Sequence, residues 1–247
     1  MARITAKSAG LLVDEFDFSG VSNSMDLDFA EAPADVTAFA DSDMTYIQGK
    51  PTFTFNVNGL WSTASPNYDG EMFTDLTATN RRVGIYPGGL SDGVFGYEGA
   101  TNISSSPRVS TAGDAIACNV TWQGASAPFR STILRYATDS SSANGTQYTL
   151  GTIANTNTII GVLRLLEIGG SGNNTLDVKI QSDTSGYSSP TDRLTFTQLN
   201  QGSGATFETQ TATGPAGSDN IWRVVVTIGG AGSRSFKLIV GFGYYVT

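Results

Sequence analysis

VSNSMDLDFAEAPADVTAFADSDMTYIQGKPTFTFNVNGLW (Val21–Trp61) holds two alternating runs on either side of an acidic loop. Met25, Leu27 and Phe29 share one face of the first run with Asp26 and Asp28 opposite, and Phe53, Phe55 and Val57 repeat the period of two after the loop. Successive side chains of a strand point to opposite faces, so this period predicts a half-buried antiparallel pair. The loop Thr37–Lys50 has a polar tip, Ala40-Asp41-Ser42-Asp43, followed by apolar Met44, Tyr46 and Ile47. A purely solvated loop has little use for those three side chains.

Working outward, the 247 residues suffice for one large or two ordinary domains with a substantial core. Glycine is abundant (29 residues) and only 15% of residues are charged, which suits many short strands joined by tight turns and predicts an all-β fold. The single cysteine, Cys118, alternates with Ile116, Val120 and Trp122, which reads as a small apolar side chain on a buried strand face. No apolar run follows the opening MARITAKSAG, and no stretch approaches the ~20 apolar residues that cross a bilayer as a helix, so the expectation is a protein made and folded in the cytoplasm without membrane insertion.

Charge is uneven. Residues 1–127 carry 15 acidic and 6 basic side chains, a net of −9, whereas residues 128–247 carry 7 acidic and 8 basic, a net of +1. The segment 14–43 contains Asp14, Glu15, Asp17, Asp26, Asp28, Glu31, Asp35, Asp41 and Asp43 and no base. Such a surface repels DNA phosphates, at about one charge per 1.7 Å of duplex, and argues against specific nucleic-acid binding.

Strands are predicted over 8–18, 23–29, 33–39, 50–61, 82–87, 93–98 and 115–123. Ser65–Asn80 differs: Met72, Phe73 and Leu76 recur at helical spacing, Asp69 and Glu71 favour a helix start, and Pro66 precedes it, predicting one short helix over about 66–79. If Phe73 is fully buried on that helix, its truncation to Ala costs about 3–5 kcal/mol. GASAP (Gly124–Pro128) reads as a boundary, giving an N-terminal small β-barrel or sandwich over 1–124 and a C-terminal β-sandwich over 125–247. The second half is expected to hold strands at 129–137, 146–153, 158–168, 174–181, 193–200, 205–211, 221–228 and 235–246. Thr158–Ile168 is apolar on both parities and fits a buried strand or a short helix; its β-branched start and Gly161 favour the strand.

Histidine is absent, which removes the commonest general base and metal ligand and every Ser-His-Asp or Cys-His arrangement. Asp26/Asp28 and Asp41/Asp43 are the carboxylate pairs a glycosidase would need, yet neither is flanked by an aromatic cluster for sugar stacking, and both read as solvated acidic surface. Asp35, Asp41 and Asp43 offer hard oxygens for calcium without the spacing of an EF-hand. No catalytic residue, metal site or cofactor is assigned. Trp61, Tyr68, Trp122, Tyr187, Trp222, Tyr244 and Tyr245 are the aromatics available to a carbohydrate-binding reading; Trp122 and Trp222 fall on core parity, and Tyr187, in the polar SDTSGYSSP, is the best candidate for exposure. Arg81, Arg82 and Arg108 are the only bases between Lys50 and Phe129 and are candidates for ion pairs to a neighbouring subunit.

In order and spacing, DLDF, then DVTAF with Asp41 close behind, then Tyr46 and Gly49 before TFTFNVNG, resemble the tail tube (major tail) protein of long-tailed bacteriophages. The resemblance covers the first half of the chain; the second half resembles Ig-like sandwiches only weakly. It implies a homohexameric ring, stacking of rings into a hollow tube, other phage tail proteins as partners, and transit of DNA without specific binding. It implies lumen positions for Asp14, Glu15, Asp17, Asp26 and Asp28, and contact with the adjacent ring for Met44, Tyr46 and Ile47, with folding back onto their own domain as the alternative. A capsid decoration protein and a carbohydrate-binding β-sandwich stand as the other readings.

Overall fold

The structure, a computed structural model, describes residues 8–31, 33–40, 42–47, 49, 51–62, 67–184 and 186–245, with Pro51 described by its backbone. Asp41, Lys50 and Pro66 of the sequence reading lie outside the described residues. In chain order the first strands are β1 (Gly10–Val13), β2 (Phe16–Asp17), β3 (Ser22–Glu31), β4 (Ala34–Asp35), β5 (Tyr46–Ile47) and β6 (Pro51–Leu60), followed by helix α1 (Tyr68–Asp75). Next come β7 (Arg81–Tyr86), β8 (Phe95–Ser105), β9 (Arg108–Val109), β10 (Ala117–Gly124), β11 (Phe129–Asp139), β12 (Ala143–Asn144) and β13 (Tyr148–Thr149). The chain ends with β14 (Thr158–Gly170), β15 (Thr175–Asp183), β16 (Thr191–Thr195), β17 (Leu199–Asn200), β18 (Thr206–Thr213), β19 (Ile221–Gly229) and β20 (Arg234–Tyr245). The fold is all-β with one short helix among the described residues.

The chain divides into two compact units, one formed by residues 1–19, 83–98 and 129–247 and the other by 20–82 and 99–128. Each is discontinuous in sequence, where the sequence reading places one cut at 124/125.

In the larger unit, β18, β14, β20, β11 and the first residues of β8 form one antiparallel sheet, and β12, β19, β15 and β16 form a second. The inner face of β20 (Phe236, Leu238, Val240, Phe242) meets Leu176, Val178 and Ile180 of β15 and Trp222, Val224 and Val226 of β19 in one core. Trp222 stacks on Phe242 with ring centroids 4.4 Å apart. The other face of the first sheet is covered too: Ile133 and Ile239 pack with Leu12 of β1 and Tyr86 of β7. Double coverage explains β14. Ile159, Leu163 and Leu165 face the sandwich core while Ile160 and Val162 pack with Phe129 on the opposite side, so the strand is apolar on both parities. The predicted strand 8–18 is broken at Asp14 (φ 48°) into the hairpin β1–β2.

In the smaller unit β3, β6 and β10 lie side by side, with β9 and the later residues of β8 beyond β10. Phe53, Phe55, Val57, Val120 and Trp122 are buried on one face, with Tyr68 and Met72 of α1 buried as well. The ring of Tyr68 lies where a Cβ on Gly59 would approach within 2.5 Å, which explains glycine at that position of β6. Asn67 caps α1, its side chain accepting from the Gly70 N–H at 3.1 Å. The helix presents Tyr68, Met72 and Asp75 inward, at spacings of four and three, so Phe73 lies about 100° round from Met72 and is 71% exposed. The expectation of a buried Phe73 is therefore corrected; Met72 alone of the expected trio is core.

Candidate assembly surfaces

The polar face of the β3–β6–β10 sheet is built by strand register. Asp26 stands opposite Asn56 and Asp28 opposite Thr54, and Asn56 and Thr54 stand opposite Thr121 and Gln123. The rows are tied by hydrogen bonds: Thr121 Oγ1 donates to Asn56 Oδ1 at 2.9 Å, Thr54 Oγ1 to Gln123 Oε1 at 3.3 Å, and Asn58 Nδ2 to Ser24 Oγ at 2.7 Å. Asp26 and Asp28 are both exposed along β3, the strand at the margin of this sheet. Alternation places carboxylates, amides and hydroxyls on this face and, among the described residues of these three strands, no base.

The other acids proposed for a lumen sit elsewhere, in the larger unit. Asp14 is 1% exposed, in the β1–β2 turn, so it contributes to the interior and not to an acidic surface. Its carboxylate helps, after Glu98 and Tyr86, to hold the fully buried Arg164 guanidinium above the usual range against the opposing and larger effect of burial. Glu15 and Asp17 are half-buried, and Asp17 is engaged locally, accepting from the Ser19 N–H at 3.0 Å and from its hydroxyl.

Beyond the far end of β3, the short pair β4–β5 carries a tip of exposed apolar side chains. Met44 is 73% exposed, and Tyr46 and Ile47 are each 54% exposed. They do not bury themselves in the unit that carries them. Phe39, which sequence reasoning passed over, is fully exposed beside them, and Val36 is exposed as well. The sequence sign is that Phe39 follows Ala38 directly in DVTAF, on the parity of polar Asp35 and Thr37 and so off the apolar face that Val36 begins. The turn is held by Asp35, whose carboxylate accepts from the Thr37 hydroxyl and, at 2.9 Å, from its N–H; these two bonds keep its pKa below the ordinary value. Thr37 Oγ1 in turn accepts from the Thr45 N–H at 2.9 Å, and the Val36 N–H donates to the Thr45 carbonyl at 2.9 Å.

The arginines expected to reach a neighbouring subunit are engaged within the chain. Arg108 Nε contacts Asp69 Oδ1 at 2.7 Å, Arg81 pairs with Asp75, and Arg82 is buried. Asp69 and Asp75 lie on α1, so these pairs fasten the helix to β9 and to the start of β7. Of the aromatics, Trp122 and Trp222 are core, as their parity predicts. Tyr68 is fully buried, and Tyr187 is half-buried, with its hydroxyl donating to the Gln181 carbonyl at 3.0 Å and Arg223 4.1 Å from its ring centroid; both correct the carbohydrate-binding list. No cluster of three or more Asp, Glu, Cys or His able to hold a metal occurs among the described residues.

No family model and no curated protein matches the chain. Among solved structures, it is similar to a chain of the virion of a native gene transfer agent particle (12% identity, TM-score 0.38, 48% of this chain and 92% of that one). It is similar to a chain of the tail of an empty gene transfer agent particle with C6 symmetry (13% identity, TM-score 0.36, 48% and 92%). It is also similar to the SPP1 Dit protein, described as a paradigm of the hub adsorption apparatus in phages infecting Gram-positive bacteria (7% identity, TM-score 0.39, 96% and 99%).

Proposed function

We propose that this chain is a structural tail protein of a bacteriophage virion, assembling with copies of itself into hexameric rings that stack into a tube conducting DNA. The observation that carries the reading is the β3–β6 pair: one sheet face is acidic and polar with no base among its described residues, and the pair ends in an exposed apolar tip. DNA passing an acidic wall is repelled and slides, whereas a wall making about 6–10 Lys or Arg phosphate contacts would hold it at low salt. Asp26 and Asp28 are the wall residues, and β3, which among the described residues pairs only with β6, is where sheets of adjacent subunits would join. Joining removes the exposed edge that otherwise invites disordered aggregation. The second half of the chain, with a net charge of +1 over residues 128–247, would decorate the tube exterior. The role is non-catalytic, and other tail proteins are its expected partners.

Negative-stain electron microscopy of the purified protein across a concentration series tests this. Hollow six-fold rings or stacked tubes support it; monomers or closed trimers at every concentration contradict it and favour the capsid-decoration reading.

A further inference from the structure

Strand β18 ends its sheet in the larger unit: among the described residues it pairs only with β14. The ladder runs from Thr158–Thr213 to Leu165–Thr206 without a register shift, and every second residue of β18 directs its N–H and C=O away from β14. Native edges are blunted by Lys, Pro, bulges or inward-pointing charges. β18, TFETQTAT, has no Lys, Pro or bulge, and none of its residues is buried. Its one charge, Glu208, stands opposite Leu163 on the side that faces the sandwich core. The carboxylate accepts from the Thr197 N–H at 2.9 Å and from the Thr197 hydroxyl at 3.1 Å, which fixes it between the two sheets. The other candidate edges are less regular. β16 has five residues and a ladder shifted between Ile180 and Gln181, and the ladder of β3 shifts between Ser22 and Ser24.

A cleft of about 290 Å³ opens beside this contact, lined by Leu163, Thr197, Leu199, Thr206, Phe207 and Glu208. Leu163, 1% exposed, is the most buried of these. The volume lies just under the range of small-molecule sites, about 300–1,000 Å³, and suits one large side chain.

We propose that β18 takes up an extended segment of another protein as an added strand, with a large apolar side chain in the cleft and a base two residues along, opposite Glu208. A row of N–H and C=O groups is matched by an extended backbone, and pockets for alternate side chains give such additions their specificity. Alternation puts every second side chain of the added strand on the Glu208 face, beside the cleft. Charge complementarity selects the base, since residues 194–218 carry no charge except Glu208. A second copy of this chain fits less well. Its β18 offers the cleft only Thr206, Glu208, Gln210 and Ala212 on the matching face, and its β3 brings Asp26, Asp28 and Glu31 and no base. This strand addition is independent of ring formation.

Hydrogen exchange of the whole chain, read amide by amide by NMR, tests it with an end-blocked synthetic peptide in which Thr alternates with Val, Phe and Lys in that order. At a peptide concentration about ten times its dissociation constant, every second amide of β18 is expected to exchange about tenfold more slowly, with β3 unchanged. The peptide with Glu in place of Lys is expected to bind about fivefold more weakly, and the variant Glu208→Lys to reverse that preference. N-methylation of one alternate set of peptide amides is expected to abolish binding, and of the other set to leave it within about twofold. Binding that survives both methylations rests on side chains alone and overturns the strand addition, as does the absence of slowing in β18 up to about 1 mM peptide. Slowing of β18 amides that grows with protein concentration without peptide makes a second copy the occupant and also overturns it. Should Glu208→Lys fail to fold, the methylated peptides decide.

Discussion

Arg164 Nη2 donates to Glu98 Oε2 at 2.8 Å with both side chains fully buried, joining the middle of β14 to β8 inside the larger unit. The Tyr86 hydroxyl donates to the same carboxylate, and Ser131 Oγ lies 3.0 Å from that hydroxyl and 3.1 Å from Glu98 Oε1. A Cβ on Gly241 would come within 2.5 Å of Glu98 Oε1, so the cluster occupies the space that glycine leaves. Removing one member of a buried pair strands the other charge. Arg164→Met and Glu98→Leu are each expected to lower stability by about 3–5 kcal/mol, and the double variant by less than either single one. Urea unfolding of the four proteins checks this; additive losses would contradict it.

Helix α1 offers a contrast between neighbours. Met72 is fully buried and Phe73 is exposed, so Met72→Ala is expected to cost about 2–5 kcal/mol and Phe73→Ala no more than about 0.5 kcal/mol. Thermal melts of the two variants measure the difference, and equal losses would mean that the helix presents another face.

Alkali should unfold the protein through its buried tyrosines. Burial, then the Glu98 carboxylate, raises Tyr86 well above the ordinary value of 10.0, and burial, then Cys118, raises Tyr68. The folded chain keeps both protons at a pH where the unfolded chain loses them. Their contribution is full below about pH 10 and falls as pH rises above it. Melting temperatures measured between about pH 8 and pH 11 are expected to hold up to the ordinary tyrosine range and then drop, and Tyr68→Phe should soften the drop.

Reversing charge on the polar sheet face should change what it binds. Asp26→Lys/Asp28→Lys places two bases on β3 without touching the core, since both positions are exposed. Assembled wild-type protein is expected to leave duplex DNA free at low salt, and the assembled variant to retain it with an affinity that falls steeply as salt rises. Gel retardation over a salt series measures this, and equal behaviour of the two proteins would contradict an acidic wall in contact with DNA.

How far the sequence could be read depended on whether the partner of each residue was local. The alternation of Met25–Phe29 and Phe53–Val57 predicts the β3–β6 pair because a period of two sets which residues share a face; that face is buried on β6, while on β3 Met25 and Leu27 are half-buried and Phe29 is 51% exposed. Met44, Tyr46 and Ile47 stood out in the sequence as apolar residues in a polar loop, which left both outward contact and folding back open; the structure leaves all three exposed. Arg164 was not legible as a core residue, because its partner Glu98 lies 66 residues away and only tertiary folding brings them together. Asp14 read as one more acid in a run, although its turn directs it inward. Phe73 misled because Asp75, a charged residue, takes the inward position to meet Arg81, which turns the helix by one residue from the face its apolar side chains suggest. The two units escaped a single cut since residues 83–98 leave one unit for the other and the chain returns before β11.

A cryo-electron microscopy map of the assembled protein fixes the position of β3 relative to the symmetry axis. Six-fold rings with Asp26 and Asp28 facing a central channel are expected of a tail tube. A map with that face turned outward, or an assembly with no channel, would contradict it.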